Sequence, residues 1–148
     1  MCQEYDMGII TWSPLAQGVL AGRYSTTDSL PLNSRATQKS IYAERITDAG
    51  IKIARHVMDW AKGKKLSPTA LSVSWILHQP AITSVIIGPR TPEHLEDLVS
   101  AQEIHLSPED LNWIDTLVFQ VTGSRFRCIW PERLATGPFV PPADWRSD

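Results

Sequence analysis

Cysteine is scarce in this chain. Two of 148 residues are Cys, Cys2 and Cys128, far apart and outside any metal-ligand spacing. That excludes a disulfide framework and points to a reducing compartment. No His, Cys, Asp or Glu pair has the spacing of a metal site, so no metal is expected. Long apolar runs are also missing: Gly8-Ile9-Ile10-Thr11-Trp12 is among the longest, far below the roughly 20 residues of a membrane-spanning helix. Nor does either sign of charge dominate. Fourteen basic and sixteen acidic side chains leave a net charge of −2, which is no footprint for nucleic acid or an anionic membrane. The start, Met1-Cys2-Gln3-Glu4-Tyr5-Asp6, holds neither a basic region nor an apolar core, unlike a signal peptide. A cytoplasmic protein without membrane insertion is the expectation.

What is present is ordinary globular material: 43% apolar and 20% charged residues, in a length that suits one domain. The run from Gly8 to Trp12, stopped by Ser13-Pro14, reads as a buried parallel strand, apolar on both faces. Gly18 and Gly22 are flexible points after it, and the polar residues 25–40 read as a surface loop. Over residues 41–65, Ile46, Ile53, Val57 and Ala61 recur at near-helical spacing, with Gly63 as the stop and Gly50 as a weak point. His56 and His78 fall in helical patterns and read as surface or satisfied core groups.

Three pairs, Ser67-Pro68, Thr91-Pro92 and Ser107-Pro108, open helical patterns reaching Gln79, Gln102 and about Phe119. The hydroxyl caps free backbone donors, and proline suits the next position because its missing N–H has no helical partner there. Between the first two helices, residues 82–87 form a β-branched apolar run closed by Gly88-Pro89, a second buried strand. Strands separated by helices imply a parallel sheet. The tail, residues 121–148, carries Pro131, Pro138, Pro141 and Pro142 and reads as irregular. A parallel sheet of two strands has open edges and little core. Those edges leave room for self-association or a partner chain.

The segment Gly8-Ile9-Ile10-Thr11-Trp12-Ser13-Pro14-Leu15-Ala16-Gln17-Gly18-Val19-Leu20-Ala21-Gly22-Arg23-Tyr24 resembles a signature of the aldo-keto reductases, in the branch that includes the potassium-channel β subunits. That signature follows the seventh strand of a (β/α)8 barrel. A second segment, Ser84-Val85-Ile86-Ile87-Gly88-Pro89-Arg90-Thr91-Pro92-Glu93-His94-Leu95-Glu96-Asp97, is similar to the eighth strand and its helix. Trp75 with its helix and Asn33-Ser34-Arg35-Ala36 also fit the pattern. The resemblance implies the C-terminal part of a (β/α)8 barrel, with residues 1–120 as the NADP-binding portion. Phosphates bind in such barrels at the loops after strands seven and eight, and the helix opening at Thr91-Pro92 would present free N–H groups to an anion.

Residue by residue, the resemblance implies the following. Trp12 stacks on the nicotinamide ring, and Ser13, Pro14, Leu15, Ala16 and Gln17 line the dinucleotide. Arg23 and Arg35 close over the pyrophosphate. Gly88, Arg90 and His94 surround the adenosine and its 2′-phosphate, and Asp97 contacts adenine. The pattern is broken at Leu98, where the family usually has an adenine-binding Asn, and at His94, where Gln or Arg is commoner; the choice of NADP over NAD is left open. The family's Asp, Tyr, Lys and His catalytic set belongs to the first half of the barrel. Tyr5, Tyr24 and Tyr42 sit in no matching motif, so no catalytic residue is assigned. The expected function is NADP(H)-dependent reduction of aldehydes or ketones by the family, with this chain as a cofactor-binding portion inactive alone. The alternatives are a nucleotide-binding or regulatory interaction module, or a truncated product without independent function.

Overall fold

The computed structural model describes residues 2–28, 30–32, 34 and 46–122. Among them are two parallel strands and four α-helices, in the order β1 (Ile9–Trp12), α1 (Asp48–Gly63), α2 (Pro68–Leu77), β2 (Ile82–Ile86), α3 (Pro92–Val99) and α4 (Pro108–Thr122). The expected strand–helix–helix–strand–helix–helix order is therefore present. β1 and β2 pair in parallel with Ile9 opposite Ile82, Ile10 opposite Ser84 and Trp12 opposite Ile86. The register slips after Ile9, so β2 carries one extra residue, Thr83, whose hydroxyl accepts the Ile9 N–H at 3.2 Å. The extra residue breaks the two-residue alternation of β2, and Thr83 and Ser84 both turn outward.

All three Ser/Thr-Pro pairs start helices as expected. Ser67 Oγ accepts from Thr69 and Ala70 N–H, and Thr91 Oγ1 accepts from His94 N–H. Ser107 and Asp110 cap reciprocally: Asp110 N–H donates to Ser107 Oγ at 3.2 Å, and Ser107 N–H to Asp110 Oδ2 at 3.1 Å. Lys64 Nζ lies 2.6 Å from the Asp110 carboxylate and 4.9 Å from the Trp60 ring centroid. Trp60 in turn stacks on Trp113 at 4.7 Å, which ties α1 to α4.

Several boundaries differ from the pattern reading. Residues 41–45 of the expected helix lie outside the described residues; α1 itself begins at Asp48, capped by Thr47, whose hydroxyl accepts the Gly50 N–H. Gly50 thus lies in the first turn, not in the middle of the helix. Gly63 is the last helical residue, and the left-handed residue that ends the helix is Lys65 (φ 58°). Leu66 N–H donates back to the Ala61 carbonyl and Lys65 N–H to that of Lys62, which closes the turn. The helix expected to reach Gln102 stops at Val99 and tightens into a 3-10 turn, Ser100–Glu103. α4 continues past Phe119 to Thr122.

The core lies between the helices. Ile53, Val57 and Ala61 of α1 meet Leu71 of α2 and Ile114 and Leu117 of α4. Each fully buried aliphatic side chain contributes roughly 1.5–3 kcal/mol. α2 packs on β2 and on α3. The strands themselves are not buried, contrary to the expectation from their composition. Ile10 is 64% exposed, Trp12 59% and Ile86 58%. Ile9 and Thr11 are half-buried on the other face. Apolarity on both faces reports what a strand needs covered; the covering needs further elements on the second face. The architecture is an open α/β piece of the (β/α)8 type. No helix among the described residues is long and apolar enough to cross a membrane.

Candidate functional site

β1 and β2 run in the same direction and end in register at Trp12 and Ile86. The segments that follow, residues 13–18 and 87–90, therefore leave the sheet at one end. One apolar cluster binds them together: Leu15 from the first segment and Ile87 from the second pack against Ala70, Val73, Leu98 and Ala101 of α2, α3 and the turn after it. Trp12, the last residue of β1, is 59% exposed beside this junction.

The segment after Trp12 is wound tightly. Ser13 (φ 59°), Ala16 (φ 44°) and Gln17 (φ 63°) are left-handed without being glycine, a conformation that the surrounding fold must hold. Gly18 and Gly22 follow at φ 98° and 70°, so these glycines are required by the backbone path rather than flexible points. Tyr24 Oη donates to the Gln17 carbonyl at 3.2 Å, and buried Tyr24 and Val19 pack on Ile51 and Ala54 of α1. Arg23 N–H donates to the Gly18 carbonyl at 3.1 Å, and Arg23 is exposed. Arg35 lies outside the described residues; of its motif, Ser34 is described and fully buried.

At the other segment, Gly88, Pro89 and Arg90 are exposed, two to four residues beyond Ile86, and His94 is exposed on α3. The α3 N-terminus differs from the expectation of free donors. Pro92 has no N–H, and Thr91 takes that of His94. The hydroxyl of Thr91 and the Glu93 backbone N–H hold the Glu93 carboxyl below its usual pKa range. The chain's own carboxylate sits where an anion would, so a phosphate there depends on the Arg90 side chain.

Asp97 Oδ2 accepts a 2.8 Å hydrogen bond from Ser67 Oγ, which joins α3 to the start of α2. Leu98, which departs from the family pattern, is buried in the α2–α3 cluster and is not available to a ligand. The structure thus brings Trp12, Ser13, Pro14, Leu15, Ala16, Gln17, Gly88 and Arg90 to one end of the sheet. Among the described residues no group of His, Cys, Asp and Glu could hold a metal. His78 is half-buried and satisfied: its Nδ1 is 2.8 Å from the Ser74 carbonyl and its Nε2 accepts the Leu106 N–H at 3.3 Å.

The aldo/keto reductase family model matches residues 1–118, and the chain belongs to that family. It is 32% identical over 123 residues to a provisionally named voltage-gated potassium-channel β subunit of Schizosaccharomyces pombe, covering 78% of this chain and 35% of that one. It is 31% identical to an uncharacterized oxidoreductase of Bacillus subtilis, over 78% of this chain and 33% of that one. With an L-glyceraldehyde 3-phosphate reductase of Escherichia coli O157:H7 it shares 30% identity over 76% and 34% of the two chains. The chain thus spans about a third of the length of these relatives.

Proposed function

We propose that this chain is a dinucleotide-binding portion of an aldo-keto reductase that takes NADP(H). On this reading Trp12 stacks on nicotinamide, and Ser13, Pro14, Leu15, Ala16 and Gln17 border the dinucleotide. Arg23 and Arg35 reach the pyrophosphate. Gly88, Arg90 and His94 flank the adenosine 2′-phosphate, and Asp97 meets adenine beside its bond to Ser67. Residues 1–120 form this portion and residues 121–148 an appended tail, in a cytoplasmic protein.

The observation that carries the reading is the exposed Trp12 ring at the strand end in register with Ile86, four residues before Arg90. Arg90 is exposed in the segment that leaves β2, where its guanidinium is open to a phosphate. The choice of NADP follows from Arg90, since a guanidinium fork suits a phosphate.

When bound, the dinucleotide supplies hydride; a carbonyl reduction also needs a general acid. Of the described tyrosines, Tyr5 precedes β1, at the sheet end opposite Trp12, and Tyr24 donates its hydroxyl to Gln17. No acid is therefore assigned, and the chain alone is expected to turn over no aldehyde.

Titration with NADPH and NADH, followed by tryptophan fluorescence, tests this. NADPH should quench and NADH should bind more weakly. Trp12→Leu should remove most of the quenching, and Arg90→Met should weaken NADPH about tenfold, or roughly 1.4 kcal/mol. Absence of any dinucleotide response would overturn the reading, and NADPH oxidation with an aldehyde would overturn the missing acid. A second role, association with another chain through the sheet edges, is supported by the two-stranded sheet seen among the described residues.

A further inference from the structure

We propose that Tyr24 is a positioning residue for the dinucleotide: from behind the site, its hydroxyl holds the strained segment after β1 in the shape that the ligand meets. This rests on the dinucleotide reading above. Three residues of that segment, Ser13, Ala16 and Gln17, are left-handed although each carries a Cβ. Such backbone is disfavoured for these residues. It persists where the surrounding structure holds it, and it clusters at active sites and ligand clamps. The segment therefore needs a brace, and two consecutive carbonyls locate it. The Gln17 carbonyl accepts the Tyr24 hydroxyl at 3.2 Å, and the Gly18 carbonyl accepts the Arg23 N–H at 3.1 Å.

The brace is anchored away from the site. Tyr24 is 4% exposed, so its ring offers the ligand almost no surface. It packs with Val19 and Ile46 against Ile51 and Ala54 of α1. A ring packed in this way delivers its hydroxyl at a fixed point. Gly18 leaves little slack on the return path: its φ is 98°, and a Cβ there would lie 3.3 Å from Arg23 Cδ. Within the segment, Ala16 N–H donates to the Ser13 carbonyl and Gly18 N–H to that of Leu15. Those short rings set its curvature. The bond from Tyr24 sets its position relative to α1.

The segment begins at the residue after Trp12, whereas residues 87–90 leave the other strand. On the dinucleotide reading, loss of the brace should loosen the nicotinamide side and spare the adenosine side. A segment already held in its binding shape gives affinity because less ordering is left for the ligand to impose.

Tyr24→Phe tests the proposal, since it deletes the hydroxyl and keeps the packed ring. NADPH and 2′,5′-ADP, which carries the adenosine 2′-phosphate and no nicotinamide, are titrated calorimetrically on the natural chain and the variant. NADPH affinity should fall about fivefold or more, and 2′,5′-ADP affinity by less than about twofold. A merely structural loss would weaken both ligands alike. Amide exchange without ligand gives a second arm. The Gly18 and Leu20 amides, both bonded to the Leu15 carbonyl, should exchange about fivefold faster in the variant while those of α1 keep their rates. Equal losses for the two ligands, undiminished NADPH affinity, or unchanged exchange at Gly18 and Leu20 would each overturn the proposal. Absence of NADPH binding by the natural chain would overturn the dinucleotide reading with it, an outcome distinct from binding that Tyr24→Phe leaves intact.

Discussion

Ser67 Oγ donates to Asp97 Oδ2 at 2.8 Å while accepting the N–H groups of Thr69 and Ala70. One hydroxyl thus starts α2 and fastens α3, whose N-terminus follows Arg90. Ser67→Ala removes the cap and leaves a half-buried carboxylate short of a donor. The expected loss is about 1–2 kcal/mol of unfolding free energy, measured by urea denaturation. A loss no larger than that of an exposed Ser→Ala control would deny the bond any structural role.

Helix starts were legible because capping is local chemistry: a hydroxyl, a proline and the next few amides suffice, and all three Ser/Thr-Pro pairs behave accordingly. The convergence of Trp12 and Arg90 on one sheet end was legible for a similar reason, since parallel strands share a direction. Lys65 was not legible as a helix terminator. A left-handed lysine is held by hydrogen bonds from Leu66 and Lys65 to the preceding turn, and Gly63 was the better statistical candidate. The exposure of Ile10 and Trp12 was missed because burial belongs to the neighbours of a strand, not to its composition. Leu98 was legible as a departure from the family pattern, but its burial was not, because that depends on which side of α3 faces α2.

Among the described residues Thr11 Oγ1 is buried with no hydrogen-bond partner, and Thr11 lies on the half-buried face of β1. A hydroxyl in that state retains its desolvation penalty and gains nothing in return. Valine has nearly the same shape and a comparable strand preference. Thr11→Val should raise stability by about 1 kcal/mol, seen as a higher urea midpoint at an unchanged slope. A destabilised variant would mean that the hydroxyl has a partner in solution.

His78 clasps the end of α2 to the strand of chain leading into α4. Its ring lies between the Ser74 carbonyl and the Leu106 N–H, and Ser74 Oγ adds a 3.0 Å bond to the Ile104 carbonyl. The bonding assigns the ring proton to Nδ1. His78→Ala orphans the Leu106 N–H and should cost about 1–3 kcal/mol. His78→Asn, which can replace at most part of the bridge, should fall between the two. Equal stability for all three chains would remove the clasp.

Acid should weaken the starts of α3 and α4 together. Lys64 and the Ser107 N–H hold the Asp110 carboxyl below its usual range. The Glu109 backbone N–H and the Ser107 hydroxyl do the same for Glu109, and Thr91 with the Glu93 N–H for Glu93. A carboxyl depressed in the folded state binds fewer protons there than in the unfolded chain. Its stabilisation is complete above the ordinary carboxylate pKa of about 4 and is lost as pH falls through the lower folded value. Thermal midpoints should therefore stay level from neutral pH to about 5 and drop below about 4. Asp110→Asn should lose about 1 kcal/mol or less at neutral pH, since Lys64 is 39% exposed and solvent screens the pair. The variant should also show a shallower acid decline, because one of the three depressed groups is gone. If its decline matched that of the natural chain, Asp110 would not be among the groups whose protonation weakens the fold.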